Sequence, residues 1–413
     1  MLTSIVVLLS VVSFALLLSI SNAFSPSSSL PNVNTVSNSR STTTTATGKP
    51  QLTLSSTGTE TETTRPSALD ELSKMTTISI DSGDLNVVEE YSKTGLVTDA
   101  TTNPLFVLQA GAKGGGDKRY DDMVYDAIMY AKRQMGGGDS SLPDFETEIT
   151  IAMDKLAVNL GAQLTKIVKG KVSTEVDVRL SYDTKASVQR AREIISMYED
   201  MCIDRSRILI KLAGTWEGIQ AAKILEKEGI QCNITLVFSF LQAAAAAQAG
   251  AYLVSPFPGR ILDWHKSKNG KDGYHPAADP GVLLIKRIYG YFKKHGYETI
   301  CMPASWRPSR GVNVEGSDVD EILALAGVDE MTIPSNLLDS LTKLDPADII
   351  KELDAKSDAA TCCDPDFKLD EETYKAYWNF DPCGQDKLNE GIDAFTENTL
   401  ELREILYQKF AEG

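Results

Sequence analysis

The sequence is poor in the residues that form disulfide frameworks and metal sites. Its 413 residues include six cysteines and three histidines. The cysteines show no C-x-x-C spacing and have no histidine close by, so we expect free thiols in a reducing compartment and no metal centre. The alternative is a redox switch or metal site formed by the vicinal pair Cys362 and Cys363 with Cys383 nearby.

Positive charge is also scarce. The 41 basic residues are outnumbered by 57 acidic ones, which gives a formal net charge of −16. This balance argues against nonspecific nucleic-acid binding, which needs a basic surface, and it means that an anionic substrate must be held by a few local cations.

The chain also lacks a G-x-G-x-x-G motif between a strand and a helix. The stretches KGGGDK and MGGGDS lie between helical segments and are typical of flexible loops.

The longest apolar run lies at the N-terminus, from Ile5 to about Ile20. It is short for a membrane span and suits the core of a signal peptide, although basic residues before it are missing. We predict cleavage between Ala23 and Phe24. Residues 24–64 are about half Ser and Thr and contain no acidic residue before Glu60, so we expect them to be disordered.

A signal peptide followed by a hydroxylated, acid-poor segment that begins with Phe24 resembles the bipartite plastid presequences of algae with secondary plastids. We therefore predict a signal peptide over 1–23, a transit segment over 24–65, and a folded region over 66–413 that resides in the plastid stroma without a membrane partner. The alternative is a secreted protein with a Ser/Thr-rich linker.

The rest of the chain alternates between apolar runs and helical segments. After Arg207, an apolar run is followed by a helix cap at Thr215, a helical segment that ends at Gly229, and a second apolar run. Continuous apolar strands between helices are typical of a parallel sheet covered on both faces. Eight such strands predict a (β/α)8 TIM barrel of the α/β class, with an open doubly wound sheet as the alternative. The predicted strands span 76–81, 95–100, 175–180, 208–213, 233–238, 252–257, 299–304 and 330–334.

Polar side chains stand at or just after the ends of most predicted strands, where a purely structural strand would carry Val or Ile. In a barrel these positions converge on one face, which is where such enzymes bind substrate. The candidate site residues are Asp81, Thr101, Asn103, Glu175, Lys211, Asn233, Thr235, Ser255, Phe257, Arg260, Ser305 and Arg307.

Lys211 lies inside the apolar fourth strand. Because burial of an isolated ammonium is costly, this lysine either reaches water or is kept partly neutral, and the converging polar residues favour the second explanation. A neutral amine attacks a ketone or aldehyde to form a Schiff base, which allows an adjacent carbon–carbon bond to break. One carboxyl group then shuttles protons as water is added and lost, and a second removes a hydroxyl proton. Two arginines suit a phosphate group.

From about Ala68 to the C-terminus the sequence closely resembles the transaldolase family. The motifs that carry the resemblance are TDATTNP, STEVDVRLSYDT, RILIKLAGTWEGI, CNITLVFSF and SPFPGRILDW. The resemblance implies an enzyme of the pentose phosphate pathway that needs no cofactor. It would transfer a dihydroxyacetone unit from sedoheptulose 7-phosphate or fructose 6-phosphate to an aldose phosphate, glyceraldehyde 3-phosphate or erythrose 4-phosphate. It leaves the oligomeric state open, a homodimer included.

The resemblance also implies roles for individual residues. Lys211 would form the Schiff base, and Asp81 would be the base at the C4 hydroxyl. Glu175 would act with Thr235 through a water during carbinolamine formation and dehydration. The implied substrate-binding residues are Asn103, Asn233, Ser255 and Phe257 for the three-carbon unit, and Arg260, Ser305 and Arg307 for the phosphate.

The sequence departs from the family pattern after the seventh strand. Where the family has a pattern close to MGASFRN followed directly by a helix, this chain reads MPASWRPSRGVNVEGSDVDEIL. Pro303 replaces a glycine, Trp306 replaces a phenylalanine, and the added residues include Arg310. The added segment is interpreted either as a longer surface loop or as a reshaped phosphate site to which Arg310 adds a contact.

Three alternative functions are less consistent with the sequence. A fructose 6-phosphate aldolase shares the lysine but transfers nothing to a sugar acceptor, and Glu175 favours a transaldolase over it. A metal-dependent aldolase is disfavoured because His265, His275 and His295 do not stand at successive strand ends. A catalytically inactive barrel that serves as a scaffold predicts the loss of a catalytic residue, and the lysine and both carboxylates are present.

Overall fold

A computed structural model of the chain describes residues 66–112, 117–135 and 145–412. The chain divides into two units, Met1–Glu62 and Thr63–Gly413, and all described residues belong to the second. The expected signal peptide and transit segment lie outside the described residues, as do most of the two glycine-rich stretches. Within the described ranges, no helix is both long and apolar enough to cross a bilayer.

The described residues contain eight β-strands, and every neighbouring pair in the sheet is parallel. The sheet order is β7-β6-β5-β4-β3-β2-β1-β8, so strands that follow one another along the chain are neighbours throughout. This order, with helices between the strands, is that of a (β/α)8 barrel, and the predicted fold class is confirmed. The strands are β1 (Thr77–Asp81), β2 (Asp99–Thr101), β3 (Val172–Glu175), β4 (Ile208–Ala213), β5 (Cys232–Val237), β6 (Leu253–Pro256), β7 (Ile300–Cys301) and β8 (Glu330–Ile333).

Fifteen α-helices of the described ranges surround or follow the strands. They are α1 (Ala68–Ser73), α2 (Leu85–Thr94), α3 (Pro104–Ala112), α4 (Lys118–Met135), α5 (Phe145–Ile167), α6 (Thr184–Asp200), α7 (Trp216–Lys227), α8 (Phe240–Ala249), α9 (Pro258–Asn269), α10 (Pro280–His295), α11 (Asp320–Ala324), α12 (Ser335–Lys343), α13 (Ala355–Thr361), α14 (Glu371–Trp378) and α15 (Pro382–Glu412). Many begin at a side-chain cap of the expected type: Thr215 accepts a hydrogen bond from the Gly218 N–H at the start of α7.

The barrel is nearly closed where β7 meets β8. The Thr332 N–H donates to the Pro303 carbonyl oxygen at 3.2 Å, which links the two ends of the strand order. On the other side of this segment, the Met302 N–H donates to the Val254 oxygen and the Ala304 N–H to the Pro256 oxygen. Pro303 lies between these donors and has no N–H, so it cannot donate to β8. This explains why regular pairing in β7 is limited to two residues although the sequence predicted six.

Two predicted strands were misplaced. The third was predicted over 175–180, but the strand is Val172–Glu175, and Val178–Leu180 forms a 3-10 helix that begins at the capping side chain of Asp177. The alternation of apolar and polar residues in 175–180 imitates a strand. The second was predicted over 95–100, but Gly95 ends α2 with a left-handed φ of 76°, and the strand begins at Asp99. The shift in β3 puts Glu175 at the carboxyl end of its strand.

Two apolar clusters lie inside the barrel and at its mouth. Inside the barrel, Leu209, Leu253 and Met302 pack together and form a floor. Because side chains alternate along a strand, Lys211 points to the same side of β4 as Leu209 and lies above this floor. The second cluster joins the barrel mouth to α15, whose residues Leu388, Ile392 and Phe395 pack with strand-end residues that include Leu236 and Phe257.

Candidate active site

A cavity of about 220 Å³ lies at the carboxyl ends of the strands. Nine of the twelve predicted site residues line it: Asp81, Thr101, Asn103, Lys211, Thr235, Ser255, Phe257, Arg260 and Ser305. The other three, Glu175, Asn233 and Arg307, are next to lining residues, as described below. A larger surface depression on α15 is lined by carboxylates such as Glu390, Asp393 and Glu397, which would repel an anionic substrate.

Lys211 and Glu175 form a buried ion pair on neighbouring strands. They are register partners in β4 and β3, and Lys211 Nζ lies 3.3 Å from Glu175 Oε2. Their side chains are only 4% and 5% exposed. Lys211 Nζ also donates to the Thr102 carbonyl oxygen at 3.0 Å. The contact with Glu175 lacks the angle of a hydrogen bond, so neither Glu175 oxygen has a hydrogen-bond partner among the described residues.

Burial changes the proton affinity of both site carboxyl groups. It raises the pKa of Asp81 to about 6, although the charges of Lys211 and Arg260 act in the opposite direction. Burial also raises the pKa of Glu175, and again Lys211 opposes the shift. Raised carboxyl pKa values close to a cation are a frequent feature of sites that move protons. Asp81 and Glu175 are therefore both suited to take up and release protons in this site.

Polar side chains of β3, β5 and β6 form a buried chain of hydrogen bonds beside the lysine. The Ser255 hydroxyl donates to Asn233 Oδ1 at 2.8 Å, and Asn233 Nδ2 donates to Ser173 Oγ at 3.2 Å. Thr235 Oγ1 lines the cavity and has no hydrogen-bond partner among the described residues. Since a buried hydroxyl is costly when unpaired, Thr235 is suited to hold a water or a substrate oxygen. Asn103 is held by the Phe106 N–H, which donates to its Oδ1 at 3.1 Å.

Arg260 is a cation without an anionic contact. It lies in the first turn of α9, and its guanidinium is stacked over the rings of Phe257 and Phe395 at 5.2 and 6.0 Å. It makes no hydrogen bond or ion pair within the described part of the chain. Burial lowers the pKa of Arg260 from its ordinary value, and the charge of Arg307 acts in the same direction. Two neighbouring cations at the cavity create a site that favours an anion.

The segment after β7 places Ser305 and Arg307. Ser305 lines the cavity and has a left-handed φ of 62°. The Arg307 guanidinium is oriented by Asp263, which accepts from Nε at 3.0 Å, and by the Trp306 carbonyl oxygen, which accepts from Nη1 at 2.9 Å. Arg307 therefore stands beside the lining residues, at the side of the cavity where Arg260 lies.

Arg310 does not line the cavity. Its guanidinium donates to both oxygens of Asp320 and to the Gly316 carbonyl oxygen. These contacts fold the added segment back on itself, and they support its interpretation as a longer surface loop.

Several lining residues were not predicted from the sequence. Thr332 is a polar residue near the end of β8, and the search for polar side chains at strand ends could have identified it. Phe395 and Asn398 lie on α15, far along the chain, and no strand-based rule identifies them. The further lining residues are Leu105, Ala304 and Ala394.

Among the described residues, no group of three or more His, Cys, Asp or Glu side chains is arranged so that it could hold a metal ion. The three histidines are dispersed: His265 lies beside Trp264 on α9, His275 accepts a hydrogen bond from the Ala277 N–H, and His295 contacts the Asp364 carbonyl oxygen. None of them lines the cavity.

Comparison with known proteins gives concordant matches. A family model described as Transaldolase/Fructose-6-phosphate aldolase matches residues 78–406. The chain is 43% identical over 343 residues to a transaldolase of Alteromonas mediterranea, which covers 83% of this chain and 98% of the relative. It is 43% identical to transaldolase B of Pasteurella multocida, over 83% and 99% of the two chains, and 44% identical to a probable transaldolase of Dictyostelium discoideum, over 81% and 97%.

Proposed function

The chain belongs to the transaldolase/fructose-6-phosphate aldolase family, and from this membership and the geometry of the cavity we propose that it is a transaldolase. It transfers a dihydroxyacetone unit from sedoheptulose 7-phosphate or fructose 6-phosphate to glyceraldehyde 3-phosphate or erythrose 4-phosphate. The observation that carries the proposal is the buried contact between Lys211 and Glu175 at the carboxyl end of neighbouring barrel strands.

The first step requires a neutral amine on Lys211. The ordinary pKa of a lysine is about 10.4, so the proton must be removed within the site. Glu175 is suited to accept it, because burial raises its pKa and its oxygens have no hydrogen-bond partner among the described residues. The free amine adds to the ketose C2 carbonyl. Loss of water from the resulting carbinolamine returns the proton, with Thr235 Oγ1 holding the water that relays it.

The second step breaks the bond between C3 and C4. Asp81 removes the proton of the C4 hydroxyl, the C4 oxygen becomes the carbonyl of the departing aldose, and the electron pair of the broken bond moves into the iminium to give an enamine. The acceptor aldose then binds, and the same steps run in reverse to form the new ketose. Asp81 returns its proton to the new C4 oxygen, and water releases the product from Lys211.

Binding residues hold the two ends of the substrate. Asn103, Asn233, Ser255 and Phe257 surround the three-carbon unit next to Lys211. Arg260, Ser305 and Arg307 bind the phosphate at the other end. The unpaired guanidinium of Arg260 supports this assignment, because a substrate phosphate supplies the anion that the described protein groups do not.

A transfer assay separates this function from its closest rival. Purified protein lacking 1–65 is incubated with fructose 6-phosphate, with and without erythrose 4-phosphate, and the products are identified by mass spectrometry. A transaldolase forms sedoheptulose 7-phosphate and glyceraldehyde 3-phosphate only when the acceptor is present. Steady release of free dihydroxyacetone without acceptor indicates a fructose 6-phosphate aldolase instead.

We also propose that the enzyme acts in a plastid stroma. The support is the N-terminal sequence, in which an apolar run from Ile5 to about Ile20 is followed by small residues up to Ala23 and then by a Ser/Thr-rich segment beginning with Phe24. The test is the N-terminal residue of the mature protein isolated from its source. A start between Ser55 and Ala68 fits two cleavages and plastid import, whereas Phe24 as the final N-terminus contradicts the proposal and fits secretion.

A further inference from the structure

We propose that Thr332, on β8, binds the C2 hydroxyl of the acceptor aldose phosphate and so determines which acceptors the enzyme uses. This inference rests on the proposed transaldolase function and extends it to a residue of the eighth strand. The seven other strands each place a candidate residue at this face, whereas β8 had no assigned role.

The Thr332 hydroxyl is a buried polar group without a partner. The residue is 1% exposed, its Oγ1 has no hydrogen-bond partner among the described residues, and it lines the cavity. A hydroxyl that is buried and unpaired destabilises the fold, so positions of this kind call for a specific reason. A substrate hydroxyl in the cavity provides one, because it donates or accepts the missing hydrogen bond.

The backbone of Thr332 is fixed on both sides. Its N–H donates to the Pro303 carbonyl oxygen at 3.2 Å, and its carbonyl oxygen accepts from Trp306 Nε1 at 2.7 Å. Trp306 is itself buried, and a phenylalanine at this position could not donate this bond. The two bonds hold the strand end in one position, which leaves the side-chain hydroxyl as the group available to a ligand.

The order of the strands places Thr332 along the path of the substrate. β8 lies between β7 and β1, Thr332 is the register partner of Ser79, and Asp81 follows two residues later in β1. In the proposed reaction the aldehyde oxygen of the acceptor meets Asp81 and its phosphate meets Ser305, which follows β7. In glyceraldehyde 3-phosphate the only hydroxyl between these two groups is that on C2, and Thr332 lies between their strands.

The test combines a variant with a change in substrate. Thr332→Val removes the hydroxyl and keeps the shape, and Thr332→Ser keeps the hydroxyl. Each is assayed with glyceraldehyde 3-phosphate and with its 2-deoxy analogue, 3-oxopropyl phosphate, with sedoheptulose 7-phosphate as donor, so that erythrose 4-phosphate is released and the new ketose phosphate is detected by mass spectrometry. We expect Thr332→Val to lower kcat/KM for glyceraldehyde 3-phosphate by about 10- to 100-fold and to change the value for the analogue less than about threefold. Thr332→Ser should keep the difference in kcat/KM between glyceraldehyde 3-phosphate and its 2-deoxy analogue.

Thr174→Val is the matched control. Thr174 is a fully buried strand threonine, but its hydroxyl is bonded to the Tyr198 hydroxyl and does not line the cavity. In this variant the ratio of kcat/KM values for the two acceptors should be unchanged, even if the stability of the protein falls. Thr332→Ala serves in place of Thr332→Val if the valine variant does not fold.

The proposal is overturned if Thr332→Val lowers kcat/KM equally for both acceptors, or if it does not lower kcat/KM for glyceraldehyde 3-phosphate. Failure of the underlying function has a different signature, because the unmodified enzyme would then form no product with either acceptor and no borohydride-stable adduct at Lys211.

Discussion

Lys211 Nζ and Glu175 Oε2 lie 3.3 Å apart in a part of the barrel where both side chains are almost completely buried. Breaking a buried ion pair from one side leaves an uncompensated charge, so such pairs are strongly coupled. Here the pair is more than a structural contact, because moving one proton from the lysine to the carboxylate leaves two neutral groups. That transfer produces the nucleophile that the proposed reaction needs.

Replacement of Glu175 by glutamine should slow Schiff-base formation. The amide cannot accept the lysine proton, so we expect the rate of adduct formation with fructose 6-phosphate to fall by about 10²- to 10³-fold. Rapid-quench trapping with borohydride measures this rate directly. Glu148→Gln is the control, since Glu148 is a buried glutamate on α5 that does not line the cavity. An unchanged trapping rate in Glu175→Gln would exclude Glu175 from the proton transfer.

Asp81→Asn should separate the two chemical steps. Without the base, the C3–C4 bond of the ketose is not cleaved, so we expect kcat to fall by about 10²- to 10⁴-fold while the adduct at Lys211 still forms and accumulates. Intact-protein mass spectrometry after borohydride reduction should show the whole six-carbon adduct in this variant and a three-carbon adduct in the unmodified enzyme. A three-carbon adduct in Asp81→Asn would mean that another group removes the proton.

The pKa of Asp81 also predicts the pH dependence. Burial raises it from 3.8 to about 6, and only the carboxylate is a base, so kcat/KM should fall as the pH drops below about 6. The effect on stability has the opposite sign. Because Asp81 binds its proton more tightly in the folded state than in the unfolded state, its contribution to the free energy of unfolding is fully present below pH 4 and is lost as the pH rises through 6. Asp81→Asn should therefore raise Tm at pH 8 and have little effect on Tm at pH 4.

Arg260→Met should weaken phosphate binding and stabilise the fold. We expect KM for fructose 6-phosphate to rise at least about 10-fold, because a charge-assisted contact is lost, while trapping of unphosphorylated dihydroxyacetone is unaffected. Removal of an unpaired cation should also raise Tm. Arg287→Met is the contrasting control: Arg287 is stacked on Phe240 but paired with Asp364, so this variant should lose stability and keep KM. Equal KM effects of the two substitutions would argue against a phosphate at Arg260.

Glu321 should act on substrate binding through the backbone of Arg307. Its Oε2 accepts the Arg307 N–H at 2.7 Å, the residue is 1% exposed, and burial raises its pKa well above the usual range, with the nearby charge of Asp279 adding to the effect. Glu321→Gln retains an acceptor and should keep KM for fructose 6-phosphate within about threefold, whereas Glu321→Leu should raise it about 10-fold or more. The value of kcat at saturating substrate should change little in either variant. A loss of kcat with unchanged KM would contradict this positioning role.

Most of the residues that line the cavity could be predicted from the sequence because the patterns that mark them are local. An apolar strand that carries a lysine, as in Lys211, and polar residues at strand ends, as in Asp81 and Ser255, are visible in short stretches of sequence. The position of β3 was wrong because its true residues, Val172–Glu175, include Ser173 and Thr174, whose hydroxyl groups are paired with Asn233 and Tyr198 in the folded chain. Without those partners in view, the segment resembles a turn.

The contribution of α15 could not be predicted in the same way. Phe395 and Asn398 reach the cavity only because the last helix packs against the barrel mouth, where Gly391 approaches Leu236 and Arg260 closely enough that a Cβ would lie 2.7 Å from the leucine side chain. This packing joins residues more than a hundred positions apart, and no periodicity in α15 identifies which of its faces meets the cavity. The same holds for Glu321, whose role depends on the fold of the added loop.

Borohydride trapping shows whether Lys211 forms the covalent intermediate of the proposed reaction. The protein is incubated with fructose 6-phosphate, reduced, digested and mapped by mass spectrometry, with Lys211→Arg and Lys155→Arg as matched variants. Lys155 is also a buried lysine, but it lies on α5 and does not line the cavity. We predict a three-carbon adduct on Lys211 alone, which disappears in Lys211→Arg together with transfer activity and persists in Lys155→Arg. An adduct on another lysine, or full transfer activity in Lys211→Arg, would contradict the mechanism.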